Sequence, residues 1–257
     1  MKISICGKGG SGKSTLVTLL ANEAQARGLK VLVVDSDESN SGLFRMLGFE
    51  KPPIPLMELL GGKKELKQKM NRPNVLAAEQ IDISDIPPLY APAKDGLILV
   101  SIGKILQALE GCACPMGVLS REFLKKLRLN RNEIALVDME AGVEHFGRGV
   151  DASLDGILLV VEPSLESITL AERVKGLAAG MEKKVRAVLN KITSDALASK
   201  LEDELRRRNI VVVGAIPYDP EIFEACLEGR ALGRGEAAVQ VGKILDLLLQ
   251  ERGWGAI

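Results

Sequence analysis

Aromatic side chains are scarce in this sequence: Phe, Trp and Tyr make up 3% of its 257 residues, while hydrophobic residues as a whole reach 46%. The core must therefore be built from Leu, Val, Ile and Ala. Net charge is also missing, because 34 Lys and Arg balance 34 Asp and Glu. A neutral chain offers no global field for nucleic acid or for an anionic membrane, so neither is an expected partner. No run reaches the roughly 18 apolar residues of a membrane span. The first residues enter a strand-like pattern at once, which leaves no signal peptide to expect. The expected compartment is cytoplasmic. There a set of four cysteines points to metal or redox work before structural disulfides. No internal repeat or low-complexity linker appears, and the length suits one large α/β domain over residues 1–257.

What is present is concentrated near the start. Gly7-Lys8-Gly9-Gly10-Ser11-Gly12-Lys13-Ser14-Thr15 follows the apolar run Ile3 to Cys6 and opens a helical pattern. Glycines let backbone N–H groups curl around phosphate oxygens, and a helix beginning near Lys13 aims its positive end at them. Lys13 has the reach for the β- and γ-phosphates, and the Ser14 hydroxyl can ligate Mg²⁺. A strand, this loop and a helix predict a nucleoside triphosphate site.

The second lysine, Lys8, completes a Lys-Gly-Gly-x-Gly-Lys-Ser/Thr pattern. This resembles the deviant phosphate loop of the ATPases that include the nitrogenase iron protein, the septum-site protein and the plasmid-partition ATPases. The resemblance implies a nucleotide-sandwich homodimer in which Lys8 acts on the partner's nucleotide, much as an arginine finger does. Without it, Lys8 is a solvated loop charge.

Apolar runs alternate with helical patterns along the chain. Strands are expected near 2–6, 30–35, 97–102, 133–138, 156–161, 185–189 and 210–215. Helices are expected near 13–27, 116–128, 165–180, 195–208, 219–228 and 236–251. The expected fold is a mostly parallel central sheet of about seven or eight strands with helices on both faces, a P-loop NTPase architecture. Ligands then collect at the carboxyl ends of the strands. Residues 50–92 break the rhythm with seven of the 11 prolines. Short helices at Leu56–Leu60 and Lys63–Met70 and an irregular stretch with room for a hairpin fit there.

Three strand ends carry candidate nucleotide residues. Asp35-Ser36-Asp37 closes the second strand; an acid there can orient a water or hold a Mg²⁺-bound water, or simply begin a turn. By resemblance it is the first switch, with Asp37 positioning the attacking water. Ile134 to Asp138 ends in a second Mg²⁺ aspartate, Asp138, and Gly142 completes an Asp-x-x-x-Gly switch whose N–H can meet the γ-phosphate. His145 lies in the polar segment that follows, with a packing role favoured over a relay of nucleotide state. Asn190-Lys191 ends a third strand; Asn has the donor and acceptor to read a base edge, and its family counterpart contacts adenine. Pro217 and Asp219, in Ile216-Pro217-Tyr218-Asp219, look like the loop over the base. Thr193 stands where a guanine motif needs Asp, which favours ATP and ADP over guanine nucleotides.

Gly111-Cys112-Ala113-Cys114-Pro115 is the other informative stretch. Cysteines one residue apart are poorly placed for an unstrained disulfide but can offer two sulfurs to one metal. Pro115 suits the first position of the helix that follows, whose positive end favours thiolates. A two-fold dimer would complete a four-thiolate metal site. Two small hydrophobes buried in a turn is the plainer reading. Cys6 and Cys226 are expected to pack.

The deviant loop, the Cys-x-Cys between the switches and Asp138-Met139-Glu140-Ala141-Gly142-Val143-Glu144-His145-Phe146-Gly147-Arg148-Gly149 together resemble the CooC-type accessory ATPases. That resemblance implies ATP-driven nickel delivery to the apo-enzyme of carbon monoxide dehydrogenase. Two alternatives stay open. A [4Fe–4S] carrier also needs four thiolates at a dimer axis. A positioning ATPase would need a basic membrane helix or DNA patch. Asp246 and Glu251 dilute the first, and Glu202, Asp203 and Glu204 precede the Arg206–Arg208 run.

Overall fold

A computed structural model describes residues 1–69, 74–105, 114–233 and 235–250. In chain order the elements are β1 (Lys2–Gly7), α1 (Lys13–Ala26), β2 (Lys30–Asp35), α2 (Leu43–Met46), α3 (Gly62–Lys69), β3 (Ala93–Lys94), β4 (Leu97–Ser101) and α4 (Cys114–Lys126). They continue with β5 (Glu133–Asp138), α5 (Glu144–Gly147), β6 (Gly156–Val161), α6 (Leu165–Ala179), β7 (Val185–Ile192), α7 (Asp195–Arg207), β8 (Val211–Pro217), α8 (Pro220–Glu228) and α9 (Glu236–Gln250). The strands form one eight-stranded sheet in the order β3-β4-β2-β5-β1-β6-β7-β8. All pairings are parallel except β3 with β4.

The strands look uniformly apolar because they alternate between two cores. Leu32, Val34, Ala135, Val137 and Leu159 meet Leu119 and Phe123 of α4, Val174 of α6 and Leu205 of α7 on one face. Val31, Val33, Ile134, Leu136 and Leu158 meet Leu16 and Leu20 of α1 and Val241, Ile244 and Leu245 of α9 on the other. Burying each such side chain is worth about 1.5–3 kcal/mol. Few rings are needed: Phe123 stands at 1% exposure among aliphatic neighbours.

The proline-rich stretch holds a 3₁₀ turn at Leu56–Leu60 and then α3. Its last strand, β3, turns back through Asp95 and Gly96, both at positive φ, into β4. An Asp-Gly pair with that geometry is a tight hairpin turn. Helix α4 starts two residues before the expected 116, so Cys114 sits in its first turn and Pro115 at its second position. The sequence-expected sites Gly111, Cys112 and Ala113, together with Met70 and residues 251–257 including Trp254, lie outside the described residues. Among the described residues no helix is long and apolar enough to cross a membrane.

Candidate active site

The strands β2, β5 and β1 are neighbours, so their carboxyl ends bring the phosphate loop and two aspartates together; Asp35 and Asp138 are directly paired in register. The loop from Gly7 to Gly12 joins β1 to α1, with Ser11 N donating to Lys8 O at 3.1 Å. Gly12 has φ +97°, and any Cβ there would collide with Asn190 Nδ2. Only glycine serves at that position. Ser11 is fully buried and Lys13 is buried to 7% exposure, while Ser14 and Thr15 begin α1 half-buried.

Ser14 Oγ donates to Asp138 Oδ2 at 2.6 Å. Asp138 is fully buried, and its Oδ1 has no hydrogen-bond partner among the described residues. Burial pushes this carboxyl up to about 6, against the Ser14 hydrogen bond and the charge of Lys13. A hydroxyl, a carboxylate and an orphaned oxygen at a strand end fit a hard divalent cation. Asn40, absent from the sequence expectations, joins them: its Nδ2 donates to Ser14 Oγ at 2.8 Å and to Asp138 Oδ2 at 3.3 Å.

Asp37 is 7% exposed, and its Oδ1 accepts from Ser39 N at 2.9 Å and Ser39 Oγ at 2.6 Å. It thus closes a local Asx turn, leaving Oδ2 for other work. Gly142, at φ +92°, donates its N–H to Gly7 O at 3.3 Å. Behind it the short α5 buries His145 to 2% exposure, with Nδ1 2.6 Å from Asp151 Oδ2 and the ring 4.4 Å from that of Phe146. His145 is therefore a packed, bonded core residue. Arg148 pairs with Glu140. Its stem lies on α4, since a Cβ at Gly117 would be 2.5 Å from Arg148 Cδ. Against the cost of burial, Glu140, Glu38 and Cys114 raise the affinity of that guanidinium for its proton. One arginine thus bridges Glu140 and the start of α4.

Lys8, 38% exposed, lies 2.9 Å from Glu162 Oε1, and Lys191 Nζ lies 2.9 Å from Oε2 of the same carboxylate. The two hydrogen bonds, Lys191's first, hold Glu162 below the usual carboxylate range. Lys191 also donates to Gly10 O at 2.6 Å. Its φ of +60° accompanies a register irregularity between β7 and β8 that spans Leu189 to Ile192. Such kinks re-aim side chains beside functional sites. Asn190, 8% exposed, points at the loop and donates to Ser11 O at 2.8 Å.

A cavity of about 200 Å³ lies against this corner, lined by Gly12, Thr15, Asn190, Lys191, Pro217 and Asp219. Asp219 caps α8, its Oδ1 accepting from Glu221 N at 2.9 Å. Cys226 also lines this cavity and is exposed, so it does not pack as expected; the small helix α8 leaves that face uncovered. Cys6 does pack, fully buried in β1. On the opposite side of the loop, a cleft of about 530 Å³ is bounded by Lys8, Gly9, Gly142, Glu144 and Arg173. Cys114 is exposed at the head of α4. Among the described residues no three His, Cys, Asp or Glu side chains converge as a metal cluster. Sequence reasoning missed Asn40, Lys104 and Glu162, whose roles come from partners at distances of 26 to 154 residues along the chain.

A glycine-lined phosphate loop beside two strand-end aspartates, on a mostly parallel sheet, is the site of a P-loop ATPase. The chain matches the CobQ/CobB/MinD/ParA nucleotide binding domain over residues 3–232 and belongs to that family. It is 44% identical over 237 residues to an uncharacterized ATP-binding protein of Methanocaldococcus jannaschii, covering 90% of this chain and 94% of that one. It is 31% identical over 230 residues to the carbon monoxide dehydrogenase accessory protein CooC of Rhodospirillum rubrum, covering 88% and 86%. Its fold is shared with the septum site-determining protein MinD of Pyrococcus horikoshii, solved as a complex with Mg-ADP. There the TM-score is 0.71 at 19% identity, over 99% and 98% of the chains.

Proposed function

We propose that the protein is an ATP-dependent metallochaperone of the CooC type. It closes as a homodimer on ATP, holds a nickel or zinc ion as cargo between Cys112 and Cys114 of both subunits, and assists nickel insertion into apo carbon monoxide dehydrogenase. The observation that carries this reading is the placement of Cys114 at the head of a helix whose next turn packs on Arg148, the partner of Glu140. A thiol there is within reach of changes in the switches. The identity to the Rhodospirillum accessory protein supports the client.

In this reading the backbone of Gly9, Gly10, Ser11 and Gly12, with Lys13 and Thr15, cradles the phosphates. Ser14 and Asp138 would hold Mg²⁺, in keeping with the Mg-ADP in the Pyrococcus MinD structure of the same fold; when bound, the ion neutralises phosphate charge. Asp37 orients the attacking water through Oδ2. Gly142 exchanges its bond to Gly7 O for the γ-phosphate, and Lys8 leaves Glu162 for the partner's nucleotide. Asn190, Lys191, Pro217 and Asp219 close on adenine in the 200 Å³ cavity. Two thiolates per subunit make a complete site only in the closed dimer, so nucleotide state gates the cargo. The chain works as one domain, in the cytoplasm, without nucleic acid or membrane.

Anaerobic loading with Ni²⁺ or Zn²⁺ in ADP or ATP, followed by light scattering and elemental analysis of each peak, tests this. A single metal ion per dimer is expected, lost in the Cys112→Ala, Cys114→Ala double variant. Iron with sulfide in the peak would mark a cluster carrier. A dimer that forms on ATP without metal would mark a positioning ATPase.

A further inference from the structure

Lys104 follows β4 by three residues and is buried to 15% side-chain exposure beside Asp35, itself at 8%. Its Nζ donates to Asp35 Oδ2 at 2.6 Å, to Asp37 O at 2.6 Å, and to Asn40 O. An ammonium has three donors and no acceptor, so one lysine saturates itself on three points of a single loop. That loop holds Asp37, and Asn40 passes the contact on to Ser14 and Asp138. The backbone around the lysine is bound to the same loop, with Ile102 N donating to Asp35 O at 2.9 Å and Ile105 N to Glu38 O at 3.2 Å. Next to it, Gly103 is pressed against α4: a Cβ there would be 2.6 Å from Met116 Sδ.

We infer that Lys104 is the positioning residue that sets the loop of Asp37 and Asn40 for ATP hydrolysis and transmits its state to the first turn of α4. It does not touch nucleotide or reacting atoms. It fixes the two backbone carbonyls between which Asp37 and Asn40 present their side chains, and any shift of that loop pulls on residues 102–105 and so on Met116. A lysine is suited to this because its compact ammonium donates to three convergent oxygens, a geometry a planar guanidinium does not match. The hydrolysis half of the inference rests on the ATPase reading above; the link to α4 stands on the contacts alone.

The test is Lys104→Met, made alone and together with Asp35→Asn, which removes the carboxyl that the single variant leaves buried without its cation. Two quantities are read in each: kcat and ATP affinity, and hydrogen exchange of residues 114–120 in ADP against a non-hydrolysable ATP analogue. A misplaced water-orienting group is expected to lower kcat by about 100-fold, with ATP affinity changed less than about threefold because the phosphate cradle is untouched. The nucleotide-dependent difference in exchange at the head of α4 is expected in the wild type and absent in both variants. Wild-type kcat in the folded double variant overturns the positioning role. An α4 difference that persists in it, or that the wild type never shows, overturns the transmission. A wild type with nucleotide-dependent exchange but no cysteine-bound metal would sink the metallochaperone reading and leave this inference standing.

Discussion

Lys8 and Lys191 share one carboxylate: Glu162 receives the first on Oε1 and the second on Oε2, each at 2.9 Å. The lysine that the family pattern assigns to the partner's nucleotide is thus occupied within its own subunit. Glu162→Gln keeps the shape and removes the charge. The variant is expected to dimerise at lower ATP concentration than the wild type, measured by light scattering across an ATP titration. An unchanged midpoint would show that this pair does not compete with dimer formation.

Lys13 is buried in the loop, where the proposed site assigns it to the phosphates. Lys13→Ala is expected to lower ATP turnover by roughly 10²–10³-fold, the usual effect of removing one preorganised charge or donor. Near-normal turnover would overturn the loop assignment.

Asp37→Asn separates two roles that the geometry allows. Asn retains an Oδ1 that accepts from Ser39, so the turn survives. What it loses is the carboxylate charge on the second oxygen. ATP affinity should hold within a few fold while hydrolysis stalls and the ATP-bound dimer accumulates. Unchanged turnover would leave Asp37 as a turn residue.

Asp35 is pushed up to about 7, mainly by burial, with Lys104 working against the shift and Asp138 adding to it. An unfolded aspartate titrates near 3.9. Between about pH 4 and about pH 7 the folded protein therefore holds a proton that the unfolded chain has released, and stability falls as pH rises. The contribution is complete below about pH 4 and gone above about pH 7, amounting to at most about 4 kcal/mol. Denaturant unfolding without nucleotide at several pH values should show this slope, and Asp35→Asn should reduce it, leaving the part that Asp138 contributes up to about pH 6. Equal slopes in the two proteins would place the titration elsewhere.

The loop chemistry and most of the sheet were legible in the sequence because they are local. A glycine pattern between an apolar run and a helix needs no distant residue for its meaning, and β2, β5 and β6 lie where their unbroken apolar runs begin and end. Four-residue helices such as α2 and α5 carry too little periodicity to be seen. Pro115 marked the start of α4 only to within a residue, and Cys114 before it is already helical. Lys104 and Glu162 were illegible for another reason. Each is an ordinary charged residue whose role exists only once strands distant in the chain become neighbours.

The segment from Asp138 to Asp151 is fastened at one end. His145 and Asp151 lock its far side into the core, with both side chains almost wholly enclosed, while its near side rests on the 3.3 Å bond from Gly142 to Gly7. In the proposed cycle a beam clamped at the root and lightly propped at the tip would bend most at the tip, so Gly142 would travel while His145 stays. Glu140 lies beyond the tip and Arg148 close to the root. Their ion pair therefore spans that length, and in the proposed cycle a change in its angle would reach the side chain that lies across α4.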